Sequence, residues 1–348
     1  MKAGRTIQDL SAEIEQQMET KKDYVTDTRN LQMHYSESFG LRLNIKGVGD
    51  FSLTSTGHRQ LAGRLGIPQP YYRRMQQDDP LLLVNNANGW LAKEPKRRMV
   101  RTMEGNVRAF LSDKYRPLDN HDLCEAIFPE LAASGMDLVS CEVTEKKLYL
   151  KAVSKEVQSE IKVGDAVQAG VCITNSEVGL GHVRVDPLIY RLVCSNGMIV
   201  NDASLKQLHV GRTLDGDEGV EQFFRDETRK ADDRAFWLKV RDVVRGTFES
   251  VRFEKLVDGL REGTKRLIDR DPAEVVEVTQ SRYDLSDDER GGVLHALIMG
   301  ADLTQYGLAN AITRASQDIE DYDRATELER VGGEIAVLPD AEWKEIAV

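Results

Sequence analysis

The residue types that most often carry out catalysis or bind metals are present in this chain, but their spacing predicts no local active site. The six histidines lie far apart, and no pair shows the H-x-x-x-H or H-E-x-x-H spacing of a helical metal site. The four cysteines form no C-x-x-C pair and so indicate neither a zinc knuckle nor a disulfide framework. We therefore expect reduced, mostly buried thiols and no bound metal or cofactor. These cysteines are Cys124, Cys141, Cys172 and Cys194.

Two other patterns have both a chemical and a structural interpretation. Cys194, followed by Ser195, could act as a nucleophile with His182 as its base, but the sequence shows no orienting acid and no oxyanion site. A buried strand that ends in an Asn-Gly turn explains the same residues. Gly179 and Gly181 form a G-x-G without the third glycine of a dinucleotide-binding loop, and a hairpin turn explains them. We favour the structural interpretation in both cases.

Acidic pairs and runs could bind magnesium, notably Asp232 with Asp233 and the run Asp287 to Glu289. Solvated helix faces and first-turn acids, which the helix dipole favours, explain them better. The chain also has no G-x-x-x-x-G-K-[ST] motif, so an ATP-driven mechanism of the P-loop kind is unsupported. A hydrolase or nuclease is thus the least favoured class, although an active site can assemble from distant residues.

The distribution of charge gives a stronger signal. The net charge is −11, yet residues 40–118 hold fourteen Lys or Arg against six Asp or Glu, a local balance of +8. The remaining residues have a balance of −19. A basic segment in an acidic chain is typical of a protein that meets phosphate with one face. The alternative is that these arginines pair internally with the acidic C-terminal half.

Residues 96–118 predict two strands joined by a tight turn at Glu104 to Asn106. We expect this hairpin to have a basic face with Arg97 and Arg101 and an apolar face with Met99 and Met103. Arginine beside tyrosine also suits stacking on bases, which adds Tyr71, Tyr72 and Tyr115 as candidate stacking groups. The predicted nucleic-acid-binding residues are Arg73, Arg74, Arg97, Arg98, Arg101, Arg108, Lys114, Tyr115 and Arg116.

The elements that would position these residues begin with an amphipathic helix, because Ile7, Leu10, Ile14 and Met18 recur every three or four residues. A hairpin is predicted at about residues 39–54. A helix capped by Ser55 or Thr56 follows and ends at Gly66 and Pro68, and a second short helix presents Tyr71 to Arg74.

Further along, Asp119 or Asn120 caps a helix that ends at Gly135, and an antiparallel sheet is predicted over about residues 97–200. From about residue 218 the spacing of apolar residues indicates long charged helices, and the last fifteen residues are predicted to be loosely ordered or to dock as an extended arm.

These elements predict an α+β fold: an antiparallel sheet with flanking helices, followed by a helical C-terminal region. We divide the chain into an N-terminal helical arm (1–38), an α+β core with the basic hairpin (39–215) and a helical, acidic C-terminal region (216–348). No apolar run is long enough for a membrane span and the first residues lack an apolar signal core, so we expect a cytoplasmic protein.

Two runs of the sequence resemble a known family. RTMEGNVRAFLSDKYRPLDNHDL, followed about 60 residues later by TNSEVGLGHVRVDPLIYRLVCSNGMIV, is similar to the phage/plasmid-like family catalogued as domain of unknown function 932. The likeness covers roughly residues 50–250. It implies a setting in phages, prophages or mobile elements, and hence DNA replication, recombination or protection from host defence. It implies no catalytic residue.

Two functional hypotheses follow. The first is a non-enzymatic DNA-binding protein, oligomeric in form, that holds single strands along a basic groove and promotes their annealing. The alternative is a protein-interaction or structural phage protein that engages a host or phage protein, or mimics DNA, through its acidic helical half.

Overall fold

Two separate β-sheets organise the part of the chain that the computed structural model describes, which is residues 1–115, 117–200, 226–247 and 250–347. Helices cover each sheet, and a helical region follows them. The predicted α+β class with a helical C-terminal region is confirmed. Among the described helices, none combines the length and the apolar composition that a membrane crossing requires.

The first sheet has six strands. They are β1 (Lys22–Asp27), β2 (Leu31–Ser36), β3 (Gly40–Ile45), β4 (Gly49–Leu53), β5 (Arg97–Met103) and β6 (Asn106–Ser112), in the spatial order β1-β5-β6-β4-β3-β2. Only the β4 and β6 pair is parallel. Strands β3 and β4 form the hairpin predicted at residues 39–54. Residues 22–36, which we had placed in the helical arm, instead form two strands of this sheet, because alternate residues such as Leu31 and Met33 are buried in it.

Three helices cover one face of the six-stranded sheet: α2 (Ser55–Arg64), α3 (Gln69–Asp78) and α4 (Pro80–Lys93). Their apolar side chains pack on Val100 and Phe110 of the sheet. Helix α2 approaches β6 closely at Gly57, where a Cβ atom would lie 2.4 Å from the carbonyl oxygen of Val107. A larger residue at position 57 would therefore force the helix off the sheet.

The second sheet has five strands, all antiparallel to their neighbours. They are β7 (Met136–Val143), β8 (Leu148–Glu160), β9 (Ala166–Asn175), β10 (Arg184–Arg191) and β11 (Asn196–Ile199), in the order β11-β10-β9-β8-β7. The prediction of one antiparallel sheet over residues 97–200 is therefore wrong. The hairpin of β5 and β6 belongs to the first sheet, because β5 pairs with β1 and β6 pairs with β4.

Helices α1 (Ile7–Thr20), α5 (Asn120–Ala133) and α6 (Asp226–Thr247) contribute to an apolar core on one face of the five-stranded sheet. The rest of the described chain is helical. It contains α7 (Ser250–Gly263), α8 (Pro272–Tyr283), α9 (Asp287–Gly300), α10 (Gln305–Ala315), α11 (Tyr322–Ala336) and α12 (Asp340–Ala347). Helix α12 shows that the prediction of a loose or extended tail is wrong, because Trp343 and Ile346, at helical spacing, are buried in the core.

Candidate nucleic-acid interface

The predicted basic hairpin exists, but its two faces differ from the prediction. The turn is tight as expected, with positive φ angles of 50° at Glu104 and 75° at Gly105. Side chains two apart in a strand point to the same face, so Arg97, Met99 and Arg101 share one face rather than dividing between two. Met99 is 8% exposed and Arg101 is fully buried. The basic and apolar faces that we predicted therefore do not exist.

A β-bulge places Arg108 on this same buried side. Arg101 lies opposite Ala109, but the next residue, Thr102, lies opposite Val107, so Arg108 is an extra residue in β6. Its side chain is buried, and its Nη1 atom lies 2.8 Å from Oε2 of Glu177.

Arg101 uses its whole guanidinium group on partners inside the protein. Its Nε donates to Asp23 at 2.8 Å, its Nη2 donates to Asp119 at 2.9 Å, and its Nη1 donates to the backbone carbonyl of Glu177 at 2.8 Å. These partners come from β1, from the residue before α5 and from the loop after β9. One side chain thus links the six-stranded sheet to the loops of the five-stranded sheet.

Lys21 completes the network, because its Nζ lies 2.9 Å from Asp119 and 3.4 Å from Glu177. We call the resulting group the buried ion cluster; it consists of Lys21, Asp23, Arg101, Arg108, Asp119 and Glu177. Its three cations balance its three carboxylates. Burial by itself raises the pKa of Asp119, but the positive charges of Arg101 and Lys21 outweigh it and hold that pKa below its usual value. Arg101 and Arg108 are therefore not available to phosphate, which corrects their predicted role.

Tyr115 is likewise part of this junction and not an exposed stacking group. Its hydroxyl donates to the carbonyl of Ser176 at 3.3 Å, and its ring packs with Met99 and Leu111. Ser176, Glu177 and Val178 are all buried. Tyr115 and Ser176 belong to the two runs that resemble the family, and their contact thus helps to connect the two sheets.

One predicted cation, Arg98 near the start of β5, lies at a pocket of about 360 Å³ that we call the cationic pocket. Arg64 at the end of α2 and Trp90 near the end of α4 also line it, together with Lys96 and Glu94, which form an ion pair at 3.5 Å. The Trp90 side chain is 38% exposed, and the Nζ of the neighbouring Lys93 lies 4.9 Å from the centre of its ring. The pocket therefore presents an aromatic surface beside the positive charges of Arg64 and Arg98.

Arg98 is held in an unfavourable electrostatic environment. Burial lowers the pKa of its guanidinium, and the neighbouring charge of Arg64 lowers it further, while Asp113 opposes the shift. Within the described ranges, neither Arg64 nor Arg98 forms an ion pair or a side-chain hydrogen bond. An anion in this pocket would relieve their mutual repulsion.

The remaining predicted site residues lie elsewhere on the N-terminal half. Arg97 and Lys114 are exposed. Arg74 is exposed and lies 3.7 Å from Asp78. Tyr71 is 44% exposed whereas Tyr72 is a core residue. Arg116 lies outside the described residues.

Arg73 lines a second pocket, of about 540 Å³, together with Arg59, His58 and Tyr72. Ser55 and Thr56 at the start of α2 also line the second pocket, whereas Gly63 and Arg64 at its end line the cationic pocket, so the two pockets lie toward opposite ends of this helix. His58 Nδ1 and the Tyr72 hydroxyl form a 2.8 Å hydrogen bond. Burial lowers the pKa of His58 to about 4, so its imidazole is neutral at pH 7.

A cluster that sequence spacing did not reveal lies at the start of α5. Ligand atoms of His121, Asp122 and Glu125 all lie within 4.8 Å of one another. Both acids are exposed, and exposed acidic groups near a helix start are common without a metal ion. We assign no metal site to them.

Comparison with known proteins gives one match. Residues 109–327, which are more than half of the chain, match the model of a family described as "Domain of unknown function (DUF932)". No curated protein and no solved structure matches the chain.

Replacement of Arg101 by Met tests the buried ion cluster. We expect the free energy of unfolding to fall by about 3 kcal/mol, because the mostly buried Asp119 would lose one of its two cationic partners, Asp23 would lose its ion pair, and the buried carbonyl of Glu177 would lose its donor. Urea denaturation measures this change. Arg97→Met on the same strand is the matched control, and its exposed position predicts a change within about 0.5 kcal/mol. Equal, small effects of the two substitutions would contradict the cluster's role.

The buried, neutral His58 predicts a dependence of stability on pH. Between pH 6.5 and pH 4 the unfolded chain binds a proton at this histidine while the folded chain does not. The free energy of unfolding should therefore decrease as the pH falls through this interval, by about 3 kcal/mol at most. Denaturation of the wild type and of His58→Gln at both pH values isolates this contribution, and identical pH dependence in the two proteins would refute it.

Proposed function

The chain belongs to the family described as "Domain of unknown function (DUF932)", and from its own surface we propose that it is a non-enzymatic protein that binds single-stranded DNA at the cationic pocket. One observation carries this proposal. Arg64 and Arg98 lie close enough to repel each other, lack ion-pair partners in the described part of the chain, and flank the exposed ring of Trp90.

The chemistry of a single strand matches this arrangement. A backbone phosphate between the two guanidinium groups would neutralise both and release counterions, which is the main source of affinity in such complexes. An unpaired base can stack on Trp90, and a duplex cannot offer its bases in this way. The pair of arginines supports binding of phosphate, and the aromatic ring supports the preference for a single strand.

The binding surface would extend along α2 to the second pocket, where Arg59 and Arg73 lie. Arg97, although it neighbours Arg98 in the sequence, points to the opposite face of β5 and is not part of this surface. The acidic balance of the rest of the chain disfavours DNA elsewhere, so a strand would be confined to this side of the six-stranded sheet.

The biological setting is part of the same proposal. A mobile-element protein in the cytoplasm of a host cell would use such a surface in replication or recombination. Several copies side by side could hold a strand with its base edges exposed and so promote annealing without ATP.

A second candidate function is the protein-interaction role of the acidic helical half. The observation that favours it is the exposure of two adjacent apolar residues at the end of α9, Ile298 at 60% and Met299 at 72%. A partner protein would cover them. Specific, saturable binding of single-stranded DNA would leave this second role unnecessary.

The proposal is tested by fluorescence anisotropy with a labelled single-stranded oligonucleotide across a salt series. We expect the double variant Arg64→Gln, Arg98→Gln to bind more weakly. The slope of log K against log salt should become shallower by about 0.7, since the single phosphate held between the two arginines contributes about 0.7 for a single strand. Trp90→Leu should lower the affinity for the single strand about tenfold or more and leave weak duplex binding unchanged.

The matched control is the double variant Arg270→Gln, Arg290→Gln, which changes the net charge equally at exposed positions of the C-terminal helical region. It should retain wild-type affinity and salt slope. Absence of binding by the wild type at low salt would refute the proposal, and an equal loss in the control would show that only net charge matters.

A further inference from the structure

The five-stranded sheet has an unusually polar face where it meets α11. One face of this sheet carries the apolar core with α1, α5 and α6. The opposite face carries buried charged and polar side chains from both the sheet and the helix. These are Tyr149, Lys151, Thr174, Asp186, Tyr322, Thr326, Glu329 and Arg330. Because buried charges are costly, this layer calls for a physical explanation.

The deepest part of the layer is fully paired. Lys151 and Glu329 are both completely buried, and the Nζ of Lys151 lies 2.6 Å from Oε2 of Glu329. The same Nζ donates to the Thr326 hydroxyl at 3.1 Å and lies 4.6 Å from the centre of the Tyr322 ring. This pair needs no ligand. Thr326, which accepts a hydrogen bond from Lys151, also lines the pocket described next.

Beside this pair, a pocket of about 520 Å³ opens between β8, β9, β10 and the start of α11. Lys147, Arg184 and Arg330 line it. Arg184 lies 3.1 Å from Asp186, and Arg330 makes a close ion pair with the other oxygen of the same carboxylate. Lys147 has no ion pair with any described residue. Two arginines therefore share one carboxylate, and Lys147 lies beside them without a carboxylate of its own.

The other acids at the pocket do not remove this excess. Asp323 already accepts hydrogen bonds from Tyr149 and Thr144 and pairs with Lys146 at 3.3 Å. Glu327 pairs with Arg324 at 2.8 Å. Asp321, which also lines the pocket, accepts the backbone N–H of Arg324 at 3.0 Å. Within the described structure, none of these three acids forms an ion pair with Lys147, Arg184 or Arg330.

Two details show that the three cations are not satisfied by the protein alone. Burial lowers the pKa of Lys147, and the nearby charges of Arg330 and Arg184 lower it further, against the opposing effect of Asp323. The Nε of Arg184 is shielded from solvent, yet it has no hydrogen-bond partner in the described structure. A negatively charged group with several acceptor oxygens would meet both needs.

We propose that this pocket binds the phosphate group of a small phosphate ester. A phosphate offers acceptors to the planar guanidinium groups of Arg184 and Arg330, to Lys147 and to the hydroxyl of Thr174, which also lines the pocket. The volume lies in the usual range for small-molecule pockets. The site shares no residue with the cationic pocket, so it is independent of the DNA-binding proposal.

The test is isothermal titration of the full-length protein with inorganic phosphate and with a nucleoside monophosphate, at constant ionic strength set by sodium chloride. We expect saturable binding at one site for both. Lys147→Met should weaken this binding about tenfold or more, since a charge-assisted contact is lost. The same substitution should not lower the melting temperature of the ligand-free protein, because it removes repulsion among like charges.

Lys155→Met is the matched control, because it removes an exposed lysine from β8, the strand that follows Lys147, and should bind phosphate like the wild type. Thr174→Val, which keeps the shape but removes the hydroxyl, should weaken binding about fivefold. The double variant Arg64→Gln, Arg98→Gln should bind phosphate normally, which separates this site from the DNA-binding surface.

Three results would overturn the proposal: no saturable binding of either phosphate compound, unchanged binding by Lys147→Met, or binding that appears only with a 5′-phosphorylated oligonucleotide. The last result would assign the pocket to a DNA end and not to a small molecule.

Discussion

The contacts of Arg101 are the constraint on which the arrangement of the two sheets depends. A guanidinium group is always charged, so a fully buried arginine requires acceptors in fixed positions around it. Asp23, Asp119 and the carbonyl of Glu177 supply them from three separate segments. The buried ion cluster is neutral only when all its members are present. Loss of Arg101 or of Glu177, which are both buried, would leave the charges at this junction unbalanced, so the cluster favours assembly of the two sheets together.

The sequence predicted the local elements well and the partners of the charged residues poorly. The turn at Glu104 and Gly105, the hairpin at residues 39–54 and the helix that begins near Asn120 follow from nearby residues alone. The partners of Arg101 do not follow from nearby residues, since Asp23 lies 78 residues before it and Glu177 lies 76 residues after it. A cluster of arginines looks the same in sequence whether its counter-ions are internal or external.

Some of the missed features had usable signals. Helix α4 was not predicted, although Asp79 caps it, Pro80 begins it, and Leu83, Ala87 and Leu91 follow at helical spacing. No comparable signal in the sequence indicated the pocket on the polar face of the five-stranded sheet. Lys147 lies just before β8, Arg184 at the start of β10 and Arg330 on α11, and only the pairing of the strands and the packing of α11 bring them together.

The two proposed anion sites differ in their relation to the family. The match begins at residue 109 and ends at residue 327, so Arg64, Trp90 and Arg98 lie outside it. Lys147 and Arg184 lie inside it, and Arg330 follows its end by three positions. The proposed DNA-binding surface is thus built on the six-stranded sheet and its helices, mostly before the matched region. The proposed phosphate pocket is built on the matched five-stranded sheet.

The central claim is that arginines close together in the sequence have different environments. Arg101 and Arg108 are buried and paired inside the protein, whereas Arg97 and Arg98 have no ion pair within the described residues. Labelling of the native protein with an arginine-selective dicarbonyl reagent, followed by mass spectrometry of its peptides, measures this division directly. We predict rapid modification of the exposed Arg64 and Arg97 and slower modification of the half-buried Arg98, protection of Arg64 and Arg98 but not of Arg97 by a single-stranded oligonucleotide, and no modification of Arg101 and Arg108 until the protein unfolds. Modification of Arg101 in the folded protein at the rate of Arg97 would contradict the account.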